Sequence, residues 1–163
     1  MNTAATFYYF AYGSNLKLSE ICDTCPSAKR QFPAVLPGYC LVFPRKSTGR
    51  RCGVAGIKPS VGQKVWGGVY AIPESERAGL EGREGYVENR PLLENAYIPK
   101  KLKVHAYGNP SQQCDVVTFV ANPQPNPPLP SKQYMGLIIA GARDWGLDEK
   151  YIADLEKIRT SQL

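Results

Sequence analysis

The chain has little histidine, no long apolar run and no recognisable leader. One histidine occurs among the 163 residues, and no stretch approaches the roughly 18 apolar residues that a membrane-spanning helix needs. The N-terminal sequence MNTAATFYYF lacks the basic segment, apolar stretch and small-residue cleavage site of a secretory signal. These absences predict a soluble, cytoplasmic protein with no membrane partner.

The five cysteines do not form a metal-site pattern. Cys22 and Cys25 make one C-x-x-C pair, but the sequence has no second pair, and His105 is the only histidine. A tetrahedral zinc site needs four such ligands. Because the cysteine count is odd and the expected location is reducing, free thiols are the default. The sequence thus predicts no metal, and the lack of both glycine-rich phosphate motifs leaves nucleotide binding without local support.

The length and the spacing of apolar residues predict a single α+β domain over residues 1–163. Segments with alternating, β-branched or aromatic residues predict six strands. They are Thr6 to Tyr12, Tyr39 to Arg45, Val54 to Lys58, Lys64 to Ile72, Tyr97 to Tyr107 and Cys114 to Ala121. The turns between these strands are spaced as in a small curved sheet or barrel, not as in a βαβ array.

Helices are expected between some of these strands and after the last one. The segment PESERAGLEGREG begins with proline and acidic residues and stops at Gly85, as a short helix should. Ser131 and Asp148 have the side chains of N-caps for two further helices, of which the first ends at Gly146. A helical segment, LKLSEICDTC, also follows the first strand.

The segment FYYFAYGSNL joins an aromatic strand to a Gly-Ser-Asn turn. A strand that turns into a helix in this way leaves several N–H groups unpaired, and such groups attract a carboxylate, a phosphate or a developing oxyanion. Gly13 allows a tight turn and a close ligand. An ordinary strand exit is the alternative interpretation of the same residues.

The residues that can move a proton are few. Ser14 as a nucleophile would need a base, and the one histidine, His105, is expected inside a strand, so a triad is disfavoured. Glu84 differs from the other acids because it sits at a helix end between Arg83 and Gly85, close to Tyr86. Such surroundings can bury a carboxyl and raise its pKa into the range of a useful base. The alternative is a surface glutamate at a helix C-terminus.

Four blocks, YFAYGSNL, KVWGGVYAI, LEGREGY and PSKQYMGLIIAGARDWGL, occur in this order over nearly the whole chain. Together they resemble the γ-glutamylcyclotransferase family. The resemblance implies a single-domain mixed β-barrel of about six strands with flanking helices. It also implies an enzyme that releases 5-oxoproline and a free amine from a small γ-glutamyl molecule, without metal or organic cofactor. A monomer or homodimer is expected.

The same resemblance implies the site residues. The family's acid–base glutamate falls on Glu84, and the tyrosine that lines the substrate pocket falls on Tyr134. The substrate loop falls on Tyr9, Phe10, Ala11, Tyr12, Gly13, Ser14 and Asn15. Main-chain amides of this loop would hold the γ-glutamyl group.

The chain departs from the family pattern after Glu84, where the connection from Tyr86 to Ala96 is several residues longer than usual. This connection brings Glu88, Arg90 and Glu94 towards the expected pocket mouth. The segment RKSTGRRCG, with Arg50 and Arg51, is hypothesised to add positive charge there, suited to a substrate with an extra carboxylate.

Other functions are left open by the sequence. A specialised family member acting on a glutathione-derived or secondary-metabolite γ-glutamyl adduct has the same motifs. A catalytically silent relative is disfavoured because Glu84 is present. A net charge of +6 and ten tyrosines also permit a barrel that binds single-stranded nucleic acid by stacking. The scattered basic residues argue against that last interpretation, so no nucleic-acid partner is expected.

Overall fold

Five strands make up the sheet in the computed structural model, which describes residues 5–161. They are β1 (Thr6–Ala11), β2 (Lys29–Ser47), β3 (Cys52–Pro73), β4 (Tyr97–Ala106) and β5 (Asn109–Ala121). The sheet closes into a barrel in the order β1-β3-β2-β4-β5. Strand β1 pairs antiparallel with β3 and parallel with β5, where Tyr9 lies opposite Val117. The predicted α+β mixed barrel with flanking helices is therefore confirmed.

The barrel has five strands where the sequence predicted six. The segments predicted as 54–58 and 64–72 are both parts of β3, which continues through a bend at Gly62 with φ of 81°. Strand β2 begins at Lys29, well before the predicted start at Tyr39, since its prolines and mixed polarity hide the alternation. A single domain over residues 1–163 stays a prediction, and its residues 1–4 and 162–163 lie outside the described part.

Four α-helices flank the barrel: α1 (Leu18–Cys22), α2 (Arg77–Arg83), α3 (Lys132–Asp144) and α4 (Glu149–Glu156). The two predicted N-caps are confirmed: Ser131 accepts a hydrogen bond from the Tyr134 N–H, and Asp148 accepts one from the Tyr151 N–H. Three-residue 3₁₀ turns lie at Ser14–Leu16, Glu74–Glu76 and Leu92–Glu94. Within residues 5–161, no helix is long and apolar enough to cross a membrane.

The aromatic rings of β1 belong to the barrel core. Phe7, Tyr9 and Phe10 are buried, while Tyr8 points outward and is 44% exposed. The first half of β1 alternates between exposed and buried residues, whereas Tyr9 and Phe10 lie on opposite faces and are both buried, so the second half is covered on both faces. The rings of this strand that a single-stranded nucleic acid would use for stacking are thus largely packed inside.

Helix α3 fixes the loop that follows β1. At Gly141 the helix comes so close to the loop that an added Cβ would lie 2.6 Å from the Leu16 Cβ. At the end of the helix, the Trp145 Nε1–H donates a 2.8 Å hydrogen bond to the Leu16 carbonyl. The Trp145 ring also covers Gly68 in β3, where a Cβ would meet it at 2.4 Å. Close packing at Gly141 and the hydrogen bond from the Trp145 indole therefore hold the loop against α3.

Candidate active site

A small cavity of about 50 Å³ lies where the chain leaves β1. All the site residues expected from the sequence line it except Phe10 and Ala11. The lining residues are Tyr9, Tyr12, Gly13, Ser14, Asn15, Ala55, Glu84, Tyr97, Phe119 and Tyr134. They come from β1 and the loop after it, from β3, β4 and β5, and from the ends of α2 and α3, so the barrel closure brings them together.

Phe10 and Ala11 occupy a different position from the one expected. Both are fully buried in β1 and are absent from the cavity lining. Their backbone is used inside the barrel, where the Phe10 carbonyl accepts a hydrogen bond of 2.8 Å from Thr118 Oγ1. Phe10 lies on the opposite face of β1 from Tyr9, which lines the cavity, and Tyr12 reaches the cavity because it follows the end of the strand at Ala11.

Glu84 ends helix α2 at the cavity wall. Its N–H donates to the Leu80 carbonyl at 3.0 Å, and Gly85 then leaves the helix with φ of 70°. Burial raises the pKa of the Glu84 carboxyl to about 7, against the opposing effects of Arg83, Asn15 and Arg50. A carboxyl with this pKa is half-ionised near neutrality, which suits a group that must both take and return a proton.

Asn15 links Glu84 to the loop. Its Nδ2–H groups donate to Glu84 Oε1 and to the Tyr9 hydroxyl, both at 3.1 Å. Its main-chain carbonyl accepts a hydrogen bond of 2.8 Å from the Tyr70 hydroxyl. The other polar atom of the side chain, Oδ1, is buried and has no hydrogen-bond partner within residues 5–161. A buried unpaired oxygen is costly, so this atom is an acceptor available to a ligand.

The main chain of the loop presents unpaired donors. The N–H groups of Gly13, Ser14 and Asn15 make no hydrogen bond within the described part of the chain, whereas Leu16 and Lys17 donate back to the turn. An added Cβ at Gly13 would lie 3.3 Å from the Ala55 Cβ and 3.6 Å from the Tyr134 hydroxyl. Glycine therefore keeps the cavity open beside three free amides.

The cavity tyrosines divide into two kinds. Tyr12 donates its hydroxyl proton to the Phe119 carbonyl, and Tyr97 donates its own to the Ala55 carbonyl. The Tyr134 hydroxyl instead accepts a hydrogen bond from the Ala55 N–H at 2.9 Å, as the Tyr9 hydroxyl does from Asn15. Burial raises the pKa of Tyr9 and Tyr134, so both keep their protons. These two hydroxyls can donate to a ligand.

Known proteins resemble this chain in both sequence and structure. The sequence profile of the AIG2-like family matches residues 64–155. The γ-glutamylcyclotransferase of Mus musculus is 31% identical over 161 residues, which cover 96% of this chain and 81% of the mouse protein. That of Homo sapiens is 32% identical over 158 residues, covering 94% and 79%. The chain belongs to the γ-glutamylcyclotransferase family.

Solved structures have the same fold. A γ-glutamyl cyclotransferase superimposes with a TM-score of 0.88 at 28% identity, covering 98% of this chain and 91% of that one. A γ-glutamyl cyclotransferase from yeast that is specific to glutathione gives a TM-score of 0.62 at 13% identity, over 93% and 94% of the two chains, which shows the fold alone. The predicted family, an enzyme, and γ-glutamyl cyclisation as its class of reaction are confirmed.

A second, larger cavity of about 220 Å³ adjoins the first, and we call it the outer cleft. The two cavities share Ser14, Glu84, Tyr97 and Tyr134. Four basic residues are among the others that line the outer cleft: Arg45, Lys46, Arg50 and Arg83. Arg50 lies in the cleft, as hypothesised, but Arg51 is exposed and is not among its lining residues.

The long connection after Glu84 is ordered by its own side chains. Asn95 is buried and accepts hydrogen bonds through Oδ1 from the Val87 N–H at 3.0 Å and from Arg90 Nε at 2.9 Å. Arg90 also donates to the Gly85 carbonyl at 2.8 Å. Glu88, Arg90 and Glu94, expected near the mouth, line neither cavity. Ala96 is the one residue of the connection that lines either cavity in this family member, and Gly85, which precedes the connection, lines the outer cleft.

Sequence reasoning missed Tyr97, Ala55 and Phe119 in the cavity wall, as well as Arg45 in the outer cleft. Each lies within a strand, where alternation predicts which side faces inward but not which level of the barrel meets the cavity. Tyr97 carried one usable signal, because it begins a strand directly after the connection that follows Glu84. His105 lies in β4 outside the cavity lining, so Ser14 has no histidine beside it there.

The thiols and acids of this family member do not gather into a metal centre. Within residues 5–161, no group of three or more His, Cys, Asp or Glu side chains is placed to hold a metal ion. All five cysteines are free. The absence of metal and cofactor stays a prediction.

Proposed function

We propose that the chain cyclises the γ-glutamyl group of a γ-glutamyl amino acid or related conjugate, releasing 5-oxoproline and the free amine, with Glu84 as general acid and base. The observation that carries the proposal is the placement of the Glu84 carboxyl, with a pKa of about 7, across one small cavity from three unpaired loop amides. No other carboxyl lines that cavity within the described residues.

The first step is loss of a proton from the substrate's α-ammonium, whose pKa is near 8 in simple α-amines. Ionised Glu84 takes this proton, and the neighbouring Asn15 Oδ1 accepts a second hydrogen bond from the same nitrogen. This gives the unpaired buried oxygen of Asn15 a partner. The freed amine then attacks the γ-carbonyl carbon of its own molecule and closes a five-membered ring.

The attack places negative charge on the γ-carbonyl oxygen. The free N–H groups of Gly13 and Ser14 and the hydroxyl proton of Tyr134 are the donors in the cavity for that charge and for the substrate α-carboxylate. In other enzymes a single preorganised donor of this kind contributes about 3 to 4 kcal/mol to the transition state. The main-chain donors need no reorganisation because α3 holds the loop through Leu16.

The last step returns the proton. The carbon–nitrogen bond to the leaving amine breaks as Glu84, now protonated, donates to that nitrogen, and the carboxylate is regenerated. The ring nitrogen, which still carries one extra proton after the attack, gives it to the departing amine, which leaves as an ammonium. Because nucleophile and electrophile belong to one molecule, the cavity's further task is to hold the glutamyl chain folded for attack. The packed walls formed by Tyr9, Tyr12 and Phe119 suit that task.

The experiment is to incubate the protein with γ-glutamyl-alanine and to measure 5-oxoproline. Glu84→Gln should lower kcat by about a hundredfold or more, the usual contribution of general acid–base catalysis, while leaving the fold intact. Glu81→Gln is the matched control, because Glu81 lies on the same helix outside both cavities. Activity retained by Glu84→Gln would remove this residue from the mechanism.

The proposal takes a small γ-glutamyl molecule as the partner and involves no nucleic acid, membrane, metal or organic cofactor. It includes a cytoplasmic location and a monomer or homodimer. Size-exclusion chromatography with light scattering tests the oligomeric state, and a substrate panel with glutathione and bulky S-conjugates tests whether the enzyme instead prefers such adducts.

A further inference from the structure

The outer cleft carries positive charge that the proposed mechanism does not use. Arg45, Lys46, Arg50 and Arg83 all line it, and Glu84 is the one acid that does so within the described residues. A cleft lined mainly by one sign of charge attracts groups of the opposite sign. Which of the four cations remains available depends on their partners.

Two of these cations are already paired. Arg50 Nη2 lies 2.9 Å from Glu20 Oε2, and Arg83 Nη2 lies 2.7 Å from the same oxygen. Arg83 is also 3.6 Å from Asp23 Oδ2. The two carboxylates of Glu20 and Asp23 therefore partly neutralise the two guanidinium groups.

Arg45 is held in place but is not paired with an acid. Its Nη1 donates to the carbonyls of Asn122 at 2.8 Å and Ala96 at 3.3 Å, so both hydrogens of that nitrogen are occupied. Its Nε–H and Nη2–H groups make no hydrogen bond, and the residue has no ion pair, within residues 5–161. These two groups form one edge of the guanidinium fork, the arrangement that binds a carboxylate through two parallel hydrogen bonds.

A local irregularity in β2 explains the direction of the Arg45 side chain. The register of β2 against β3 shifts between Val42 and Arg45, where Val42 lies opposite Gly56 and Arg45 opposite Val54. One extra residue in β2 is thus accommodated beside Pro44, and such a bulge redirects the side chains around it. The side chain of Arg45 is partly buried as a result and reaches the wall of the cleft.

We infer that the outer cleft holds the leaving part of the substrate and that Arg45 binds a carboxylate on it. This inference rests on the proposed function. The inner cavity is the smaller of the two and contains the free amides, so it takes the constant γ-glutamyl group, and the outer cleft begins at Ser14 and Glu84, where the leaving nitrogen must lie. The preferred substrates are γ-glutamyl amino acids or peptides with a free carboxylate, rather than γ-glutamyl amines or carboxamides. Lys46 adds charge at the rim.

The test compares γ-glutamyl-alanine with γ-glutamyl-alaninamide, which differ only in that carboxylate. The wild-type kcat/KM should favour the acid by about tenfold or more, as expected for a charge-assisted bidentate contact. Arg45→Gln should bring the ratio close to one, mainly through KM. Arg51→Gln is the matched control, since it removes the same charge nearby but outside the cleft, and it should keep the wild-type ratio.

A purely structural role for Arg45 gives a different result. If Arg45→Gln lowered kcat/KM for both substrates by the same factor, or if the wild type used both equally well, the inference would be wrong although 5-oxoproline is still formed. No 5-oxoproline from either substrate would instead overturn the proposed function, and the inference with it. Should Arg45→Gln fail to fold, product inhibition of the wild type decides: alanine should inhibit more strongly than alaninamide, and equal inhibition would overturn the inference.

Discussion

The side-chain amide of Asn15 donates a 3.1 Å hydrogen bond to the Glu84 carboxyl, although the two residues are 69 positions apart. The main chain of Asn15 belongs to the loop whose amides are free, and its side chain contacts the proposed base. One residue therefore sets the position of the base relative to the amides, so a shift of the loop also moves the hydrogen bond that stabilises ionised Glu84.

Replacing Asn15 should move the pH dependence of activity. The hydrogen bond from Asn15 favours the charged carboxylate and lowers its pKa against the effect of burial. Asn15→Ala removes this contribution, so the pKa of Glu84 rises further, and the acidic limb of the kcat/KM profile should shift to higher pH. An acidic limb at the same pH in wild type and variant would separate Asn15 from the ionisation of the base.

The wild-type profile itself follows from the pKa of about 7 for Glu84. Only the ionised form accepts the substrate proton, so kcat/KM for γ-glutamyl-alanine should fall as the pH drops through about 7. Initial rates of 5-oxoproline formation between pH 5 and pH 9 measure this. The Glu84→Gln variant should show residual activity without that limb, and a limb centred near pH 4 in the wild type would contradict the buried carboxyl.

Stability should respond to pH in the opposite direction from activity. Folding raises the pKa of Glu84 from about 4.5 to about 7, so between these values the folded state binds a proton that the unfolded state lacks. The contribution of Glu84 to the free energy of unfolding thus declines as the pH rises from about 4.5 to about 7, and stays low above it. Glu84→Gln should be more stable than the wild type at pH 8 by roughly 1 to 3 kcal/mol in the free energy of unfolding. At pH 5 this gain in stability should be smaller.

Urea unfolding at the two pH values measures this difference. Glu88→Gln serves as the control here, because that carboxyl is exposed and lines neither cavity. A Glu84→Gln variant that is destabilised at pH 8 would mean that the charged carboxylate gains more from Arg83, Arg50 and Asn15 than burial takes away.

Adding a methyl group at Gly13 should weaken substrate binding. The new Cβ would stand 3.3 Å from the Ala55 Cβ and 3.6 Å from the Tyr134 hydroxyl, beside the free amides. We expect Gly13→Ala to raise KM for γ-glutamyl-alanine by about tenfold or more, since a displacement near 1 Å at a site can reduce rates by about a hundredfold. Gly136→Ala, on the open face of α3, should leave KM unchanged and increase stability by up to about 1 kcal/mol.

Removing the indole N–H of Trp145 should loosen the loop. Trp145→Phe deletes the hydrogen bond to the Leu16 carbonyl, which then keeps only the 3.1 Å contact from the Tyr70 hydroxyl. We expect a loss of about 1 to 3 kcal/mol in the free energy of unfolding together with a higher KM. Trp66→Phe, a matched change outside the cavity lining, should leave KM unchanged. An equal rise in KM in both variants would point to general destabilisation of the fold.

Turns and helix caps were predicted well from the sequence. Ser131 and Asp148 cap helices as expected, and the turn after Tyr12 leaves its amides free, because these features depend on local geometry. The strand boundaries were less predictable. At Gly62, β3 continues through a bend, although the sequence there predicts the end of a strand. Whether a glycine bends a strand or ends it depends on the pairing of β3 with β2.

The sequence predicted site residues only where they belong to a recognisable motif. Glu84 stood out through its helix end, but the hydrogen bond from Asn15 depends on barrel closure, which no segment encodes alone. Of the two arginines in the hypothesis about added positive charge, Arg50 lines the outer cleft and Arg51 does not, and the hypothesis did not include Arg45. Arg45 differs from its neighbours through a register shift and through two carbonyls more than fifty residues away in sequence, Ala96 and Asn122.

The contact between Trp145 and Leu16 spans 129 positions, and that between Tyr12 and Phe119 spans 107. Contacts between residues so distant along the chain form slowly, because a large loop must close before they can be made. The cavity thus depends on several long-range closures rather than on any one hairpin. During refolding, recovery of turnover should mark the docking of the C-terminal helices, and an intermediate with a complete sheet but undocked helices would be inert.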